Sequence, residues 1–165
     1  MLEPSKNLRF GPTRKDRALR ERGYDTSKKG KLQEPTVCPK CGAVFHEGRW
    51  TWMTPPPQAH DEMCPACQRV RDKNPAGILT LKGQFLQEHK GEILNLARNQ
   101  EARAKAEHPV QRIIDIEEQE DGIVITTTDA HLVRSIGEAV HHAYHGELDF
   151  QYTEVENILR VHWER

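Results

Sequence analysis

A chain of 165 residues has room for one ordinary domain or two small ones. Only 36% of its residues are apolar and 30% are charged, which disfavours one generous core and predicts small modules, or modules carrying extended arms. No apolar run approaches the roughly 18 residues needed to span a bilayer, and a net charge of −1 conceals a strong polarity along the chain.

Residues 1–34 read as a basic, flexible arm. Residues 1–33 hold ten Lys/Arg against four Asp/Glu, a balance of +6, and the opening MLEPSKNLRF lacks the apolar stretch of a secretory signal. The expectation is a cytoplasmic protein. In reducing surroundings, four cysteines signify metal or redox chemistry more readily than disulfides. Arg14, Lys15, Arg17, Arg20, Arg22, Lys28, Lys29 and Lys31 carry the arm's charge, with little beyond Ala18, Leu19 and Tyr24 to bury. An arm of this kind orders on phosphates, each contact releasing counterions, so these eight are candidate RNA-binding residues. The plainer alternative is a solvated tail. Arg14 to Arg22 can form a short helix that stops at Gly23.

Residues 35–82 carry the strongest motif. Two knuckles, C-P-K-C-G at 38–42 and C-P-A-C at 64–67, enclose 22 residues. A C-x-x-C turn presents two sulfurs on one side, close enough to share a tetrahedral ion at about 2.3 Å. Cys38, Cys41, Cys64 and Cys67 therefore form a closed four-thiolate set for one structural zinc ion, with no position left for water. Gly42 suits a knuckle that needs a positive φ, and Pro39 and Pro65 pre-set the two turns. The competing reading is a thioredoxin-type pair, which would place one C-x-x-C at a helix N-terminus inside a βαβ unit. His46 and His60 lie between the knuckles and read as surface histidines, since four thiolates already close the site.

Between the knuckles, Gly48 to Trp52 alternates like a strand with Trp50 and Trp52 on one face. Those rings either pack the small core beneath the metal or form a stacking platform for RNA bases, with Arg49 alongside. Pro55, Pro56 and Pro57 predict an extended loop. Arg69, Arg71 and Lys73 make a second basic patch, and Gly77 to Leu81 reads as a strand that can pair back onto the ribbon.

Residues 83–109 change to a helical pattern. Phe85, His89, Ile93 and Leu96 form one stripe, and NQEARAKAEH supplies good helix formers with little to bury, so the segment reads as a solvent-exposed connecting helix ended by Pro109. Residues 110–165 then show the clearest period-2 signal. Ile114 and Ile116 alternate with acids, a turn follows at Glu120-Asp121-Gly122, and Ile123 to Thr128 is a β-branched run, together a hairpin. Thr128 or Asp129 caps a helix striped by Leu132, Ile136, Val140 and Ala143 and stopped at Gly146. Leu148, Phe150 and Tyr152 alternate with polar residues, as do Leu159, Val161 and Trp163. The order is ββαββ, one helix on a four-stranded, mainly antiparallel sheet, and the fold class is α+β. Residues 111–165 hold four Lys/Arg against twelve Asp/Glu, a balance of −8. His141, His142 and His145 sit at a helix end that favours cations. No Gly-rich phosphate loop, nucleophile elbow or isolated carboxylate pair marks an enzyme.

The double C-x-x-C ribbon, the helix after it, and GIVITTTDAHLVRSIGEAV followed by two strands resemble the N-terminal region of the large ribosomal subunit export adaptor of nonsense-mediated decay. The resemblance is fuller to a short bacterial relative of that family, in which CPKCGAVFHEGRW, CPACQRVRDKNPAG and IEEQEDGIVITTT stand much as they do here. It implies a protein that associates with the large ribosomal subunit, its zinc holding part of a surface that faces rRNA or a ribosomal protein. The function expected is that of a non-enzymatic, zinc-ribbon RNA-binding protein acting in ribosome protection, hibernation or assembly. Its partners would be the ribosome, rRNA and, given the acidic C-terminal segment, a basic ribosomal protein, with no membrane and no small-molecule substrate. The alternative expectation is a regulatory adaptor whose acidic ββαββ domain binds a protein while the ribbon serves as scaffold.

Overall fold

The computed structural model describes residues 32–165. The arm's candidates, Arg14 to Lys31, lie outside the described residues. Four short strands form a first sheet: β1 (Thr36–Val37), β2 (Val44–His46), β3 (Arg49–Thr51) and β4 (His60–Asp61). Their spatial order is β3-β2-β1-β4, antiparallel except for the β1–β4 pair, in which Thr36 faces His60 and Val37 faces Asp61. The β2–β3 hairpin turns on Glu47 and Gly48, both at positive φ (52° and 79°), the two-residue turn whose twist matches its strands. Helix α1 (Pro65–Asp72) follows β4.

A five-stranded sheet holds the larger core. It is built from β5 (Gly77–Lys82), β6 (Ile113–Gln119), β7 (Gly122–Thr127), β8 (Glu147–Thr153) and β9 (Ile158–Glu164), ordered β6-β7-β5-β9-β8. Helices α2 (Gln84–Glu107) and α3 (Ala130–Tyr144) complete it. The class is thus mixed α+β, with two small sheets and three helices among the described residues.

The sequence-predicted hairpins and the capped helix α3 are present, but the strands between them are arranged differently. The strand 77–82 does not pair back onto the ribbon. It lies at the centre of the large sheet, antiparallel to β7 (Leu79 opposite Ile125) and parallel to β9 (Leu79 opposite Val161). The sheet therefore has five strands instead of four, and its two hairpins meet across β5 and not each other. The reason is burial: Leu79 and Leu81 are fully enclosed, and a three- or two-residue ribbon strand offers no comparable apolar face.

Helix α2 also differs from the exposed strut expected of it. Leu86, Ile93, Leu94 and Ala97 are buried, and the helix packs against α3. The expected stripe is widened and not moved: Ile93 is buried, Phe85 and Leu96 pack against the core, and Leu86, Leu94 and Ala97 join them, while His89 departs from helical backbone (φ −122°, ψ 21°). Helix α3 lies on β5, β7, β8 and β9 while touching α2. Contacts on two sides widen its buried face to Ala130, Leu132, Val133, Ile136, Gly137 and Val140, whereas Ala143 is exposed. Asp129 is the N-cap, accepting from the His131 amide at 2.7 Å and the Leu132 amide at 3.3 Å. A core of sixteen buried residues joins Leu79 and Leu81, both helices, and Leu159, Val161 and Trp163, so the low apolar fraction is concentrated in one place.

Candidate metal centre

The first knuckle grows out of the β1–β2 turn. The Cys38 amide donates to Ala43 O at 2.8 Å and the Gly42 amide to Cys38 O at 2.9 Å. Gly42 takes φ 80°, as the knuckle requires. The second knuckle is the start of α1. Cys64 is the N-cap, its Sγ accepting from the Cys67 amide at 3.4 Å, and Pro65 occupies the first helical turn without needing a hydrogen-bond acceptor. One C-x-x-C therefore does sit at a helix N-terminus, where the helix dipole favours thiolate. What separates this from a redox pair is the company: β4 and α1 make no βαβ unit here, and both pairs face one point.

The four sulfurs lie within 4.8 Å of one another, with Cys41 Sγ and Cys64 Sγ 3.7 Å apart. A tetrahedral ion with metal–sulfur bonds near 2.3 Å sets its ligands about 3.8 Å apart, so the quartet fits a single metal ion. Cys38 and Cys64 are wholly buried. Ala66 lies among them, with Trp50, Met63 and Val110 packed around. All four cysteines are free thiols, none in a disulfide. Burial opposes ionisation of Cys38, yet backbone hydrogen bonds at Cys64, Cys41 and Lys40 bring its thiol down to about 7 from the ordinary 9.0. Burial pushes the Cys41 and Cys64 thiols up, and the charges of neighbouring cysteines add to it. A divalent cation at the centre removes that mutual opposition.

Comparison with family models, with characterised proteins and with solved structures finds no match.

The remaining sequence candidates are dispersed. Arg49 is exposed on β3. Trp50 is half-buried, its ring 5.5 Å from that of Phe45 and against the cysteine core. Trp52 falls beyond the end of β3, 38% exposed, and donates its indole N–H to Lys105 O at the far end of α2. Trp50 thus packs the small core beneath the cysteines, and Trp52 does not share its face. Arg69 donates to Asn74 O at 3.1 Å, Arg71 pairs with Asp72 at 2.8 Å, and Lys73 caps α1 at φ 50°. Arg69 and the Lys73 backbone thus close the end of α1, while the Arg71 side chain pairs with its exposed neighbour Asp72. Among the histidines, His141 is half-buried, His142 is exposed, and His145 ends α3 with its carbonyl accepting from Trp163 Nε1.

One residue at the centre carries no motif. Arg112, just before β6, directs Nη2 at the quartet, 3.1 Å from Cys64 Sγ, 3.2 Å from Cys67 Sγ and 3.9 Å from Cys41 Sγ. Burial tends to lower its pKa, but the hydrogen bond to Cys67 and the charges of Cys64, Cys67 and Cys41 outweigh it and the value rises. The only trace of this in the sequence is that Arg112 is one of four Lys/Arg in an otherwise acidic segment.

Proposed function

We propose that the quartet holds one structural zinc ion and that the protein is a non-enzymatic, cytoplasmic RNA-binding protein of the ribosome, engaging the large subunit in protection, hibernation or assembly. The observation that carries the zinc reading is the convergence of four cysteine sulfurs, a soft donor set that suits zinc and would leave it no open position for water or substrate. A closed site is scaffolding. Zinc would fix the two knuckles, and through them the short strands β1 to β4, which have too little apolar area to hold together alone.

The ribosomal part rests on the +6 arm, on the resemblance of the ribbon and β6–α3 segments to the large-subunit adaptor family, and on the exposed Arg49 near the knuckles. The arm supplies electrostatic recruitment and the folded part the choice of site, since a −8 segment is not drawn to bare RNA. Ribosome co-sedimentation at two salt concentrations tests this, using the full chain and a chain lacking residues 1–33. If about five basic residues meet phosphates, log K falls with log salt at a slope near −4, at about 0.9 per contact. Truncation flattens that slope. Equal binding and equal salt dependence of the two proteins refute the arm's role.

A second reading is favoured by the edge strand β6, where Asp115, Glu117 and Glu118 are all exposed. Glu118 is paired with Lys90, and the remaining acids of this edge strand suit a basic protein segment, which makes the protein an adaptor with the ribbon as scaffold. A ribosome peak that survives nuclease treatment, together with capture of one basic protein, favours this reading.

A further inference from the structure

The cysteine quartet is not contained within the small sheet. Its ligands come from the β1–β2 turn and the start of α1, but two of the residues that enclose it come from the chain segment leading into the large sheet. Val110 packs against the cysteine core, and Arg112 reaches three of the four sulfurs. A guanidinium nitrogen at the middle of the tetrahedron would stand at nearly equal distances from all four sulfurs. Arg112 Nη2 instead makes short contacts to Cys64 and Cys67 and a longer one to Cys41, which places it over one face of the tetrahedron, outside the metal position.

The Arg112 backbone is clamped to the large sheet. Its amide donates to Thr128 Oγ1 at 2.8 Å, and its carbonyl accepts from the Thr128 amide at 2.8 Å. Thr128 Oγ1 in turn donates to Val110 O. Backbone and side chain are thus held from opposite sides, one by strand β7's end and the other by sulfur. The guanidinium Nε is buried with no hydrogen-bond partner among the described residues. Enclosing a cation with one nitrogen unsatisfied is costly unless a counter-charge faces it. Four thiolates around a divalent ion carry two net negative charges, and one arginine halves them. The N–H···S bonds also draw electron density from the sulfurs, as outer-shell donors do at other metal sites.

The geometry points to Arg112 as the outer-shell cap of the metal–thiolate centre, and through that cap to a centre that joins the ribbon to the five-stranded sheet. This rests on the reading of the quartet as a metal site. When the ion leaves, the sulfurs are no longer held as a face toward Arg112, and the large sheet loses its hold on the ribbon at this point. Metal loading is therefore felt in strands that contain no ligand. By reciprocity, a change at Arg112 is felt as metal affinity.

The test uses the full chain loaded with zinc, as wild type, Arg112→Met and Arg112→Lys, with exposed Arg98→Met on α2 as the charge control. Zinc content is measured first: less than half an equivalent in wild type overturns the metal reading itself. With one equivalent present, competition against a chromogenic chelator should show zinc held 10–100-fold less tightly in Arg112→Met, an intermediate loss in Arg112→Lys, and no change in Arg98→Met. Hydrogen exchange across residues 113–127 supplies a readout that metal affinity alone does not move. In wild type, zinc loading slows exchange there; in Arg112→Met held at saturating zinc, most of that slowing disappears. Chelator resistance within twofold of wild type in both Arg112 variants, or an undiminished zinc effect on 113–127, overturns the cap.

Discussion

At the scale of single residues, two tryptophans that each bond a carbonyl near a helix end differ in burial. Trp163 is 1% exposed in β9 and its Nε1 bonds the His145 carbonyl, so it both fills the core and fastens the end of α3. Trp163→Phe removes volume and leaves that carbonyl without its donor, a loss of roughly 1–3 kcal/mol. Trp52→Phe, at an exposed ring, should stay below about 1 kcal/mol. Thermal unfolding of the two variants side by side checks the contrast. Gly122 shows a second kind of constraint. It faces Lys82 across the β5–β7 ladder, and a Cβ there would run into the Leu81 carbonyl oxygen. Backbone cannot step aside as a side chain can, so Gly122→Ala should cost about 1–3 kcal/mol in denaturant unfolding. A cost near zero would mean that the ladder is looser than its register indicates.

Among the elements, β5 decides the architecture. Within the sheet it is the strand that joins the two hairpins, and Leu79 stands opposite Ile125 on one side and Val161 on the other. Leu79→Ala should cost about 2–5 kcal/mol, and hydrogen exchange should rise in β6–β7 and β8–β9 together. Loosening of one hairpin alone would contradict the central placement. Helix α3 depends more on its start. Asp129 satisfies two amides that have no partner inside the helix, and Asp129→Ala should lower stability by about 1 kcal/mol. The period-2 and period-3.6 patterns in residues 113–164 made these hairpins and this helix legible, because each reports which side of a local element is buried. The same patterns said nothing of the partner across the sheet. β5 is separated from β9 by α2, the β6–β7 hairpin, α3 and β8, and the stripe on α2 said nothing of Leu86, Leu94 and Ala97, which widen it into the core.

For the molecule as a whole, the two sheets should respond differently to metal removal. The ribbon strands are two or three residues long and their core is mostly the cysteines themselves, whereas the large sheet has a core of its own. On the proposed zinc reading, stripping the ion, or Cys38→Ser, withdraws binding free energy of roughly 10–16 kcal/mol seen in comparable small zinc modules. Residues 36–73 should lose protection from hydrogen exchange, while residues 77–82, expected from sequence to fall with the ribbon, should keep it because they form β5. Retained protection of 36–73 in metal-free protein would show the ribbon to be self-supporting.

The sequence by itself determined the cysteine quartet and the local elements. Two knuckles separated by 22 residues specify four thiolates whatever surrounds them, since each C-x-x-C turn converges its own pair of sulfurs. Ile114 and Ile116 alternating with acids, the turn at Glu120-Asp121-Gly122 and the β-branched run from Ile123 likewise specify a hairpin from within a short window. Only the tertiary structure decided that β5 leaves the ribbon for the large sheet, and that Arg112 crosses to the sulfurs. Both are settled by competition for burial and counter-charge between segments far apart in the chain. A strand goes to the largest apolar face available, and a buried arginine to the nearest buried negative charge. Neither preference is written in the residues beside them.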